Sequence, residues 1–139
     1  MMADLDALRD VFRRMPFMAD LGVEPIEAAE GRVVTQLAIE ARHLQYTGVV
    51  HAGVMVAMAD HGMGAAAQTV AAAGQWVLTA ELKTSLLCAT RGTHLECIAS
   101  VLKPGRQVTF TEAEVFAIDG DKRVLVAKAS ATMTLAAAG

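Results

Sequence analysis

Aromatic residues make up only 4% of this 139-residue chain, with one Trp and one Tyr among them. Single-stranded nucleic-acid binders stack bases on several such rings, so that class starts at a disadvantage. A basic excess is missing too: 12 Lys and Arg stand against 15 Asp and Glu, a net charge of −3 with a pI near 5.7. A phosphate-backbone binder needs the opposite field, so no nucleic-acid partner is expected. Cysteine is scarce. Cys88 and Cys97 are too few for a disulfide framework and are separated by eight residues and a turn signal, so both are expected to be buried thiols. The longest apolar tract, Val54 to Ala73, is interrupted by Asp60, His61, Gln68 and glycines, which is costly in a bilayer. It reads as a buried helix, with no membrane partner. The opening residues Met1 to Asp6 carry no basic stretch leading into an apolar one, so a cytoplasmic location is the expectation.

What the chain has in quantity is Ala, Val, Leu and 8 Met: 54% of residues are hydrophobic and 19% charged, against roughly 45–50% apolar in ordinary soluble domains. Disorder is excluded. The surplus predicts oligomer interfaces, and the length predicts one domain over residues 1–139.

Leu5, Leu8, Val11 and Phe12 recur at helical spacing, with Asp4 as cap and Pro16 as stop, which predicts a short helix at about residues 4–14. From Gly22 the period becomes two. Strand-like residues before and after the Glu30-Gly31 turn, with Val33, Thr35, Leu37 and Ile39 alternating with polar neighbours, predict a hairpin. A polar loop, residues 43–50, precedes the nearly uncharged helix from His51 to Ala73, expected to be buried nearly all round. Four strands follow, Trp76–Ala89, Thr93–Leu102, Gln107–Asp119 and Arg123–Leu135, separated by Arg91-Gly92, Pro104-Gly105 and Asp119-Gly120-Asp121. A buried helix with strands on both sides of it in sequence implies an α+β architecture, one curved antiparallel sheet wrapped around the helix.

Chemistry concentrates between Gln45 and Asp60. A helix starting near Ala52 and Gly53 presents unpaired N–H groups and the positive end of its dipole, a ready oxyanion site. Asp60 lies about two turns along, on the face of Val56, Ala57 and Gly64. A carboxylate in such surroundings is either paired, here with Arg42, Lys83 or a backbone group, or working. The helix start is roughly 10 Å from the Asp60 backbone, whereas reacting atoms must approach to ~3–3.5 Å. A two-fold dimer that sets one chain's helix start beside the other's Asp60 resolves the mismatch. His51 either hydrogen-bonds near the reacting group or fixes the loop. His61 points about 100° away from Asp60 and reads as a packing or interface residue. Glu81 alternates to the same strand face as Thr79. No pair among His43, His51, Asp60 and His61 has helical metal-ligand spacing, so no metal is expected. Lys103, Arg106 and Arg91 sit at turns and are candidates for binding phosphates, or are ordinary solvated charges.

The string Gly48-x-x-His51-Ala52-Gly53, with Asp60 nine positions after the histidine, resembles the signature of hotdog-fold acyl-CoA thioesterases of the PaaI type, related to 4-hydroxybenzoyl-CoA thioesterase. The resemblance runs from about Leu21 to Met133 and includes Leu78-Thr79-Ala80-Glu81-Leu82. It implies a hotdog fold, an acyl-CoA substrate, and a homodimer or homotetramer with shared sites. Asp60 would be general base or nucleophile, the Ala52 N–H would polarise the thioester carbonyl, and Thr79, from the partner side, would position the carboxylate or water. No cofactor is required. Gly53 would complete the substrate-binding helix start. The family often has His-Gly-Gly where this chain has His51-Ala52-Gly53, which keeps the donor, and usually an Asn where this chain has Gln45, which keeps the amide on a longer stem. A non-catalytic acyl-CoA binder using the same groove is the alternative, distinguished by whether free thiol is released. A hydratase of the same fold is weaker, since its His-bearing strand motif is not evident.

Overall fold

The structure, a computed structural model, describes residues 3–137. Two short helices, α1 (Leu5–Arg13) and α2 (Pro16–Leu21), lead into the hairpin β1 (Val23–Ala29) and β2 (Arg32–Ala38). A one-turn 3-10 helix (Ala41–His43) and a loop then reach the long helix α3 (Ala52–Val70), followed by β3 (Gln75–Leu86), β4 (His94–Lys103), β5 (Val108–Asp119) and β6 (Lys122–Ala137). The cap of α1 is the expected one, with the Asp4 carboxylate accepting from the Asp6 N–H at 3.0 Å. Pro16 does more than stop that helix. It opens α2, which the sequence reading lacked, because a first-turn proline loses no intrahelical bond and has its φ already set. Gly22 ends α2 at φ +90°, a conformation that an L side chain resists.

All strand pairs are antiparallel, in the order β1-β2-β4-β5-β6-β3. This is the hotdog arrangement: consecutive strands β2 and β3 lie far apart in the sheet, and α3 between them crosses its inner face. Small residues let it lie close. Ala59, Gly62 and Ala66 are fully or nearly buried in α3, and the inner faces of β4, β5 and β6 present Cys97, Ala99, Ala113 and Ala129. A Cβ on Gly62 would stand 3.2 Å from the Ala99 Cβ and 3.3 Å from the Cys97 Sγ. Met55, Met58, Met63 and Met133, none more than 3% exposed, fill the remaining space, as an adaptable thioether side chain can. Cys97 is buried as expected, whereas Cys88, past the end of β3, is exposed. The helix is not buried all round. Val56, Ala57, Asp60, His61, Gly64 and Gln68 form a half-exposed stripe towards β3.

The ends of the helix are tied down. The Thr69 hydroxyl accepts from the Gly31 N–H (2.8 Å) in the β1–β2 turn. Gln68 holds the start of β3: its amide nitrogen donates to Gln75 O (2.9 Å), and its oxygen accepts from Val77 N–H (3.2 Å). Val77 faces Leu135 across the β3–β6 pair. Leu135 turns its N–H to Gln107 O, so Val77 turns its own away from β6, towards the free edge of the sheet. The Gln68 side chain therefore occupies the first part of that edge and leaves the rest of it without a strand neighbour among the described residues.

Gly62→Val should lower the unfolding free energy by about 1–3 kcal/mol through overpacking, read as a lower urea midpoint with an unchanged slope.

Candidate active site

His51 caps α3. Its Nδ1 accepts from the Gly53 N–H at 2.9 Å, and its own backbone N–H donates to His43 O. Of the two readings for His51, loop and helix fixation is the one the geometry displays. The Gly53 donor is thereby occupied, and the Ala52 N–H is left as the first amide of the helix without a partner among the described residues. His43 anchors the loop from below. Its Nδ1 accepts from the Glu40 N–H, so its Nε2 carries the proton and donates to Leu21 O at 2.7 Å. Both nitrogens are committed to backbone. Gln45 closes the loop turn through its backbone (Gln45 N–H to Val49 O, Gly48 N–H to Gln45 O), and its side chain makes no hydrogen bond among the described residues.

Asp60 is half-buried and makes no ion pair with Arg42, Lys83 or any other cation among the described residues. Its Oδ1 accepts from the Thr79 hydroxyl at 2.7 Å, and the same hydroxyl lies 3.4 Å from Met133 Sδ. This partner comes from the same chain. Thr79 was expected from the partner side, but the route of α3 across the sheet sets the helix stripe directly against β3, so one chain builds the pair alone. A second expectation fails at the neighbouring bulge. Between Thr79 and Glu81 the register with β6 slips by one residue, which moves Glu81 to the opposite face, where it accepts from Thr132 at 3.1 Å. Thr79 and Glu81 do not share a face.

From Asp60 an apolar groove of about 640 Å³ runs along α3 towards Gln68 and Trp76, with Leu8, Phe12 and Met15 as its far wall. That is the size of a small-molecule site. The contribution of α1 to this wall was not foreseen. The Leu8 and Phe12 stripe read only as the inner face of a short helix, and nothing local tells a groove wall from a core contact. His61 lines the groove beside Asp60, edge-on to Phe12 with ring centroids 4.3 Å apart. Burial pushes its imidazole down from 6.5 to about 4, and the Asp60 carboxylate pulls weakly the other way.

The cationic candidates separate. Arg91 donates to Gly48 O at 3.2 Å, at the helix-start end. Lys103 and Arg106 lie beyond the end of β4 that is tied, through Val101 and Gly31, to Thr69 at the other end of α3. Eighteen residues of helix span about 27 Å, so one chain cannot gather all three around a single phosphate group. Among the described residues no three of His, Cys, Asp and Glu converge as a metal cluster would require.

A family model described as the thioesterase superfamily matches residues 47–124. The chain belongs to this superfamily. The match contains Gly48, His51, Asp60 and Thr79. Among solved structures, a thioesterase family protein from Silicibacter pomeroyi superposes with a TM-score of 0.90 at 31% identity, covering 94% of this chain and 96% of that one. A Haemophilus influenzae thioesterase (TM-score 0.87, 19% identity, 97% and 92% covered) shares the fold. So does the Escherichia coli PaaI protein from the phenylacetic acid degradation operon (0.82, 17%, 96% and 95%). A Caenorhabditis elegans protein named as a candidate esterase is 31% identical over 93 residues, 66% of this thioesterase-superfamily chain and 54% of that protein. The match thus spans about half the length of that relative.

A ring that stays neutral in the fold but takes a proton when unfolded removes stability as the pH falls from about 6.5 through about 4, since the unfolded chain then binds more protons. Chemical denaturation at pH 7 and pH 4 should show His61→Leu losing less stability than the unsubstituted protein, by up to about 3 kcal/mol.

Proposed function

We propose that this superfamily member hydrolyses acyl-CoA thioesters to a free acid and coenzyme A, in active sites shared between two copies of the chain. The observation that carries the reading is the Asp60 carboxylate, unneutralised by any cation among the described residues and held by Thr79 at 2.7 Å at the mouth of an apolar groove. An acyl chain fills such a groove and a thioester meets the acid at its mouth. Thr79 engages one carboxylate oxygen, which leaves the other to take a proton from water as that water adds to the thioester carbonyl, or to attack the carbonyl itself. In the first route the C–S bond breaks as the tetrahedral adduct collapses and the protonated Asp60 returns its proton to the departing thiolate. In the second the thiolate leaves an acyl anhydride on Asp60, and the water that cleaves this anhydride frees the acid, regenerates the carboxylate and supplies the thiol proton.

The adduct's oxyanion needs a donor, and α3 supplies one at Ala52. Within one chain that N–H is about 12 Å of helix away from Asp60, too far for one carbonyl to reach both. The edge of β3 beyond the Gln68 clamp is unpaired among the described residues, and Trp76, Leu78 and Leu86 along this strand are 62%, 60% and 48% exposed. Pairing of that edge with its own copy about a two-fold axis covers the apolar stripe of α3 and lets each Ala52 serve the other Asp60. A homodimer is then the smallest active unit, and a homotetramer pairs two of them. Arg91, at the Ala52 end, is the cation best disposed for the coenzyme's phosphates. Lys103 and Arg106 could serve only a coenzyme seated from another copy. We assign the protein to the cytoplasm, where acyl-CoA is made and used, and no helix of the described residues is long and apolar enough to cross a membrane.

Thiol release from a panel of acyl-CoAs tests the activity. Asp60→Asn should reduce turnover by about 10²–10⁴-fold and Thr79→Ala by about 10–100-fold. Full activity in Asp60→Asn sinks the mechanism. Ala52→Pro deletes the donor at a position where proline suits the helix, because His51 before it already has φ −62° and ψ 135°; a loss of about 10²–10³ in kcat is expected. Co-expression of the Asp60→Asn and Ala52→Pro chains should restore up to about a quarter of the wild-type sites, since half of randomly paired dimers are mixed and each carries one intact site. No recovery means that the site is not shared.

A further inference from the structure

Apart from Trp76, which is 62% exposed, the groove is lined by five side chains with nitrogen or oxygen hydrogen-bonding groups, and four are spoken for. Asp60 and Thr79 are bonded to each other, both ends of the Gln68 amide hold the β3 edge, and the Gln75 side-chain oxygen accepts from the Ala72 N–H at 3.3 Å. The fifth is His61. Its Nε2 is buried and has no hydrogen-bond partner among the described residues. Around it the wall is apolar, with Phe12 edge-on at 4.3 Å and Leu8 and Ala65 nearby. A buried ring nitrogen without a partner costs the free protein stability, and folds usually either satisfy such an atom or replace it. An atom kept in this state beside a substrate groove is explained if the substrate completes it.

We propose that His61 is a specificity-determining residue, whose Nε2 hydrogen-bonds an oxygen carried by the acyl group within the first few carbons of the thioester. The position follows from the helix. Asp60 and His61 are successive residues, their Cα atoms 3.8 Å apart, and both line the groove, so the imidazole meets the acyl chain just past the carbon that the carboxylate faces. The ring is neutral near pH 7, so it can give or take one hydrogen bond without bringing a charge into an apolar wall. A hydroxyl suits either tautomer, whereas an oxo group requires the proton on Nε2. Phe12 packs edge-on against the imidazole, so its ring must turn aside as the oxygenated chain enters. The substrates selected are therefore hydroxyacyl or oxoacyl thioesters, in preference to plain acyl chains of equal length.

This rests on the thioesterase reading, and its test separates the two. Hexanoyl-CoA, 3-hydroxyhexanoyl-CoA and 3-oxohexanoyl-CoA are titrated calorimetrically into the Asp60→Asn protein, with and without His61→Leu, and their kcat/KM values are measured on the corresponding Asp60 proteins. With His61 present, at least one oxygenated thioester should bind and react about tenfold better than hexanoyl-CoA, and His61→Leu should erase or invert that ratio. The ligand-free His61→Leu protein should melt no lower than the unsubstituted one at pH 7, because it loses no hydrogen bond. Equal binding of the three thioesters, a preference that survives in His61→Leu, no binding of any of them, or a His61→Leu melting point several degrees lower would each overturn the proposal. Absence of hydrolysis with a preserved binding ratio overturns the thioesterase reading and leaves this one standing.

Discussion

Everything at the site depends on how closely α3 lies against the sheet. Ala59, Gly62 and Ala66 meet Cys97, Ala99 and Ala113, with no space for one additional methyl group at Gly62 without movement. Interiors packed to this density transmit position rather than absorb it. Because the helix is fixed on its inner side, its opposite stripe is fixed as well, and Asp60 meets Thr79 at hydrogen-bond distance without a charge to hold it. A bulkier inner face would lift the helix and separate the two without a change to either residue.

The fold was legible in the sequence because its signals are local: alternation in β2, turn residues between the late strands, and an apolar stretch too interrupted for a membrane. The candidate site was legible where it follows a short motif. Asp60 and the capping end of α3 are where the spacing puts them, and Asp60 shares a half-exposed stripe with Val56, Ala57 and Gly64. What escaped was set by tertiary register. One bulged residue at Ala80 decides that Thr79 faces Asp60 while Glu81 faces away, and no property of the sequence Thr79-Ala80-Glu81 announces a bulge. The opening of α2 at Pro16, the role of α1 as a groove wall and the separation of Arg91 from Lys103 and Arg106 were hidden for the same reason, since each depends on which distant elements become neighbours.

Polarity in the groove is distributed economically. Of the three histidines on or just before α3, His43 has both nitrogens committed to backbone and His51 spends Nδ1 on the Gly53 amide, which leaves the neighbouring Ala52 amide without a partner among the described residues. His61 alone keeps a buried nitrogen in reserve. The same residue type thus serves as loop anchor, helix cap and unfilled acceptor or donor. The backbone around each determines which, and composition alone would have counted them as equivalent.

Strand β3 sits at the sheet margin, where a bare row of amides and carbonyls invites any extended chain to add on. Gln68 changes the terms of that invitation. By spending a side-chain amide on Gln75 and Val77, the helix imitates one stub of a neighbouring strand and closes that stretch to newcomers. An added strand can zip only along the remainder, so the overlap open to it is limited at one end, unlike the sliding, open-ended ribbons that unguarded margins seed.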